Sequence, residues 1–113
     1  MGAYIMSKAS FKININPVKA FQLVKENEDA DLIHEEINHV GDPKYIAILV
    51  FEKYFIRVGN RAGLIVIFDN TKGETEVRVI ATASSQGVLF NFDWGAGDDF
   101  ADSVREILEE YIV

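Results

Sequence analysis

The chain contains no cysteine, only two prolines, one tryptophan and two histidines. Without cysteine, a disulfide scaffold, thiol catalysis and every thiolate-ligated metal site are excluded. No apolar run approaches the roughly 18 residues a membrane-spanning helix needs. The opening residues, MGAYIMSKAS, lack the basic and then apolar regions of a secretory signal. Gly2 does not begin a myristoylation signal, because position six is Met6 rather than Ser or Thr. Basic residues are scarce as well, 11 against 18 acidic, for a net charge of −7. Residues 26–42 and 93–113 hold most of the carboxylates, whereas residues 1–25 hold four lysines and no carboxylate. A surface of this sign repels a phosphate backbone, so nucleic acid is not an expected partner, and with no apolar span neither is a membrane. A cytoplasmic setting is expected.

What is present reads as one folded domain over residues 1–113, with 49% hydrophobic and 26% charged residues. Met1 to Tyr4 read as a loose end. Ala9, Phe11, Ile13 and Ile15 alternate with Ser10, Lys12 and Asn14, the period of a half-buried strand. Asn16-Pro17 then joins a preferred N-cap to a residue pre-set for the first helical position, which predicts a helix with Ala20, Phe21 and Val24 on its buried stripe. The next segment, DADLIHEEINHVGDPK, fits a helical stripe or a strand over residues 32–39. The Gly41-Asp42-Pro43 turn favours the strand.

Residues 44–58, KYIAILVFEKYFIRV, are dense in β-branched and aromatic residues and long for one strand, which predicts a bulge near Glu52-Lys53. Gly59-Asn60 reads as a two-residue hairpin turn. That register sets Phe51, Lys53, Phe55, Arg57, Ala62, Leu64, Val66 and Phe68 on one face. Val50, Glu52, Tyr54, Ile56, Val58, Arg61, Gly63, Ile65 and Ile67 fall on the other. Both faces are apolar, so each needs a cover. A strand over 75–82 follows, then one over 88–94 with Val88, Phe90, Phe92 and Trp94 on one side. Gly95-Ala96-Gly97 is the bend out of the sheet, and Asp98 or Asp99 caps a last helix with Phe100, Val104, Ile107, Leu108 and Tyr111 as its stripe. The fold class is therefore α+β: an antiparallel sheet of about six strands, β-α-β-β-β-β-β-α, with an N-proximal and a long C-terminal helix packed on it.

Motifs for chemistry are few. The Gly-Ala-Gly bend at a helix start suits a phosphate, but Asp93, Asp98, Asp99 and Asp102 surround it and no lysine follows. Capping explains it better. In HEEINH, His34 and His39 are five apart rather than the four of a zinc-binding helix, and in a strand an odd separation sends them to opposite faces. No metal and no cofactor is expected, and no nucleophile–base set assembles, so an enzyme is the third choice. Lys53, Arg57 and Arg61, with Tyr54 close by, read as a small-anion site or, more simply, as charge that protects a sheet edge.

VFEKYFIRVGNRAGLIVIF (50–68) together with NFDWGAGDDFADSVREIL (91–108) resembles a small family of bacterial single-domain proteins of unknown function. The resemblance spans nearly the whole chain and implies no known activity. The order of strands and helices is also similar to the helix-grip topology of START and Bet v 1-like proteins. That likeness implies a non-catalytic module that binds an apolar small molecule or a protein partner between or around its helix and sheet. Trp94, Phe92, Phe90, Tyr54 and Arg57 are the candidate ligand-binding residues, with Trp94 expected at the edge of the helix–sheet gap. The other reading is a homodimeric structural or regulatory module, the second apolar sheet face being buried in a homo-oligomer.

Overall fold

A computed structural model describes residues 4–55, 60–84 and 94–113. In chain order these form β1 (Tyr4–Ile13), α1 (Pro17–Asn27), β2 (Asp31–Gly41), β3 (Lys44–Phe55), β4 (Asn60–Asp69), β5 (Thr75–Ser84) and α2 (Trp94–Ile107), followed by a short 3-10 turn over Glu109–Tyr111. The five strands make one antiparallel sheet in the order β1-β5-β4-β3-β2. The protein is α+β, an antiparallel sheet with two helices.

Alternation decides which face is the core. Phe11 and Ile13 of β1, Ala47, Leu49 and Phe51 of β3, Ala62, Leu64, Val66 and Phe68 of β4, and Val77, Val79 and Ala81 of β5 all point the same way and are buried. Both helices lie against this face. α1 contributes Ala20, Phe21 and Val24, and α2 contributes Phe100, Ala101, Val104 and Leu108, all in one cluster with the strands. Ile107 and Tyr111 pack against its rim. The start of α1 follows from its caps: Asn16 Oδ1 accepts the Lys19 N–H at 2.8 Å, and Pro17 takes the first helical position.

The chain end is tied in as well. Asn14 N–H donates to the Tyr111 carbonyl at 2.9 Å and Val113 N–H to the Lys12 carbonyl at 3.0 Å, which lays the last residues beside β1.

Several details depart from the sequence expectations. Tyr4 is not a loose end but the first residue of β1, opposite Ser84. Residues 31–41, by contrast, are the strand that the Gly41-Asp42-Pro43 turn favoured, joined to β3 through Gly41 (φ 132°) and a cis Asp42–Pro43 peptide. The irregularity expected near Glu52-Lys53 lies instead in β2, with register shifts between Leu32 and His34 and, at the far end, between His39 and Gly41. Bulges concentrate at sheet edges, and β2 is an edge while β3 is held on both sides.

The β3–β4 register is also displaced. Tyr54 stands opposite Arg61, and Phe55 opposite Asn60, so Asn60 is a paired strand residue rather than part of a two-residue turn. The displacement is an even number of residues, and every described residue of the two strands keeps its predicted face.

The largest correction concerns the last helix. It begins at Trp94, so Trp94 and the Gly-Ala-Gly segment are helical rather than strand and bend. Glycine costs a helix about 1 kcal/mol relative to alanine. Burial of Phe100, Val104 and Leu108 further along is large enough to carry the two glycines. Five strands are described against the six expected; the rest of the proposed sixth, residues 88–93, lies outside the described residues.

Candidate functional site

The helix–sheet gap is where a helix-grip protein would hold a guest. Here, among the described residues, it is packed. Phe21, Val24, Leu49, Phe51, Leu64, Val66, Phe68, Val77, Val79, Val104 and Leu108 are each at most 1% exposed, which leaves no water-sized void beside them. The Phe21 and Phe68 rings meet edge-to-face, with centroids 6.2 Å apart and planes at 74°.

Among the described residues, the gap opens at one end. Where α1 finishes and α2 passes over it, Asn27, Glu28, Asp29, Lys53, Phe100, Ser103, Glu106 and Ile107 line a cleft of about 460 Å³. Phe100 is buried and Ile107 is half-buried, so the cleft has an apolar floor continuous with the core. Its walls are polar. Glu28 is the C-cap of α1, with its N–H on the Val24 carbonyl at 2.9 Å. That cap turns the Glu28 side chain toward α2. There Ser103 Oγ lies 2.8 Å and 2.9 Å from the two Glu28 carboxyl oxygens and 2.6 Å from the Phe100 carbonyl. Lys53 Nζ, on the helix-facing side of β3, is 3.5 Å from Asp29 Oδ2.

One hydroxyl has one proton, yet three oxygens surround Ser103 Oγ. The hydroxyl's one proton cannot go to Glu28 and to the Phe100 carbonyl at once. A proton on Glu28 resolves the conflict: the carboxyl donates to Ser103 Oγ, which donates on to Phe100. The electrostatics lean the same way. Burial pushes the Glu28 carboxyl above the usual range, outweighing the Ser103 hydrogen bond and the nearby Lys53 charge, which pull it down. The cleft thus pairs an apolar floor with a carboxyl whose hold on its proton burial strengthens, and its carboxylates Glu28, Asp29 and Glu106 outnumber the single Lys53. No group of three or more His, Asp or Glu that would hold a metal ion occurs among the described residues.

Of the candidate ligand-binding residues from the sequence, two are described. Phe90, Phe92 and Arg57 lie outside the described residues, and Trp94 opens α2. Tyr54 is 50% exposed and sits on the sheet face away from the helices, beside Arg61 at 5.9 Å from its ring. His34 and His39 are on opposite faces, as their spacing requires. His34 Nε2 is 2.8 Å from Glu36 Oε1, and His39 Nε2 is 3.0 Å from Asp42 Oδ1 while its ring stacks on Tyr45. Glu28 and Ser103, 75 residues apart, carried no signal in the sequence. Only the half-polar end of each helix stripe hints at them.

A sheet gripping two helices on one face, with β5 beside β1, defines the class. The topology is distantly similar to the helix-grip fold of START and Bet v 1-like proteins. The crystal structure of Ara h 8.0201 matches with a TM-score of 0.60 over 95% of this chain and 94% of that one, at 13% identity. The chain itself belongs to a family of unknown function, DUF6054, whose sequence profile matches residues 6–112. No curated protein matches the sequence. None of the described helices is long and apolar enough to cross a membrane.

Proposed function

We propose that the chain is a non-catalytic binding module which takes a small amphipathic molecule, an apolar body with an amine or hydroxyl head, in the cleft between the end of α1 and α2. The observation that carries this reading is the cleft itself. Its size falls within the range of small-molecule sites, and apolar surface and a few convergent polar groups meet there. The packed gap argues against a guest buried deep between helix and sheet. The head-group preference comes from charge. Glu28, with Asp29 and Glu106 nearby, attracts an ammonium, accepts from a hydroxyl and repels a carboxylate.

The test is calorimetric titration with three probes of equal chain length, hexylamine, hexanol and hexanoate. The amine and the alcohol bind and the carboxylate does not, and Glu28→Gln weakens the amine more than the alcohol. Binding of hexanoate with equal strength, or no binding of any probe at millimolar concentration, overturns the proposal.

A further inference from the structure

The sheet face away from the helices carries an apolar ladder at its centre within a polar border, and no described helix lies on it. We infer that it is the contact surface for a second copy of this chain, packed face to face about a two-fold axis parallel to the strands. The alternate residues of β3, β4 and β5 build its centre: Ile48 pairs with Ile67, Val50 with Ile65, and Ile65 with Ile80, so that β-branched side chains form a continuous ladder. Each is only half-buried, by its own neighbours across the strands. The one guanidinium near the centre is already neutralised, with Arg78 3.1 Å from Asp69 and 2.6 Å from Glu76. A partner can cover the ladder without stranding that charge.

Charge at the two rims selects the occupant and the axis. Two central rows of this face run from an acidic or imidazole side chain on β2 to a lysine or serine on β1. One row goes from His34 through Val50, Ile65 and Ile80 to Lys8, and the next from Glu36 through Ile48, Ile67 and Arg78 to Ser10. Lys8 has no ion pair among the described residues, and Lys12, further along the same rim, reaches only Glu74 at 3.7 Å. A two-fold axis along the strands lays Lys8 of one copy over the hydrogen-bonded His34–Glu36 pair of the other. An axis across the strands would set lysine over lysine. Beside Lys8 the surface is also indented, a groove of about 340 Å³ between β1 and β5 that offers the partner's β2 rim a seat.

The area suffices. Five strands about 4.8 Å apart and ten residues long at about 3.3 Å each present roughly 800 Å². That is close to the roughly 800 Å² per partner of a standard stable interface. The packing angle then follows from the twist of the two sheets.

Sedimentation velocity on the full chain decides the matter. At about 50 µM, above the dissociation constants that standard interfaces reach, the expected mass is twice the 12.7 kDa of one chain. Ile65→Arg weakens the dimer by at least about a hundredfold, because it buries an unpaired charge in the centre. Ile65→Thr, which keeps the β-branched shape, weakens it less and guards against misfolding as an explanation. Lys8→Glu weakens it roughly 3- to 30-fold through two symmetry-related pairs, and adding Glu36→Lys restores the loss. A wild-type monomer at this concentration overturns the inference. So does a dimer that ignores Ile65→Arg but is broken by Ile33→Lys on β2, which would point to pairing through the strand edge instead.

Discussion

Replacing Phe68 by alanine probes the packed gap at its centre. The side chain is fully buried on β4 and its ring meets Phe21 of α1 edge-to-face. Removing a buried phenylalanine costs about 3–5 kcal/mol, lost transfer energy plus the cavity left behind. A domain of this size has about 5–15 kcal/mol in all, so the variant remains folded but its urea midpoint falls by roughly 2 M. The double variant with Phe21→Ala isolates the ring pair, and its coupling is about 0.5–1.5 kcal/mol. Urea melts followed by far-ultraviolet circular dichroism, on the wild type, both single variants and the double, supply all four corners of the cycle. If Phe68→Ala unfolds the chain, Phe68→Leu and Phe21→Leu give the same cycle at smaller amplitude. A loss below about 1 kcal/mol for Phe68→Ala, or additivity of the two substitutions, refutes the claim that α1 and β4 are in close contact across a filled gap.

Three further outcomes follow from the same structure. Asn16→Ala removes the cap of α1 and costs about 1 kcal/mol, measurable as a lower midpoint in the same melts. Burial alone would raise the Asp69 carboxyl, but hydrogen bonds from Thr71 and Arg78 outweigh it and hold the group low. A depressed carboxylate stabilises the fold above its unfolded value and loses that contribution as pH falls through its folded one, so Asp69→Asn flattens the acid limb of the stability–pH curve. Glu28 has the opposite sign: its raised value means that ionisation costs stability as pH rises above the ordinary carboxylate range and through the folded value. Glu28→Gln is therefore as stable as the wild type or more so at neutral pH, and the wild type gains on it as the solution is acidified. Affinity for hexylamine rises as pH increases through the same window, because the ammonium selects ionised Glu28, while affinity for hexanol does not.

Local patterns carried much of the fold. Asn16-Pro17 marks a helix start because the cap and the fixed proline dihedral are properties of those two residues alone. The two faces of the β3–β4 hairpin were legible for a similar reason: side-chain alternation depends on parity, and the error in the turn was even. The start of α2 was not legible. Glycines read as a bend until the buried face of the following turns is known to carry them, and that face is a tertiary fact. The cleft was hidden for the same kind of reason. Glu28 looks like one carboxylate in an acidic run and Ser103 like one polar residue on a helix, and only the crossing of α2 over the end of α1 joins them. The apolar outer face, by contrast, was visible as a second hydrophobic side to the hairpin, because nothing but alternation is needed to see it.

The most direct test of the account is to map the amine site by nuclear magnetic resonance, titrating isotope-labelled protein with hexylamine. The predicted result is a set of chemical-shift changes centred on Glu28, Lys53, Phe100, Ser103 and Ile107, with the Phe21, Leu64 and Val79 signals unmoved. Changes centred on Phe21, Leu64 and Val79 would contradict it, since they would place the guest inside a gap that the account holds to be full.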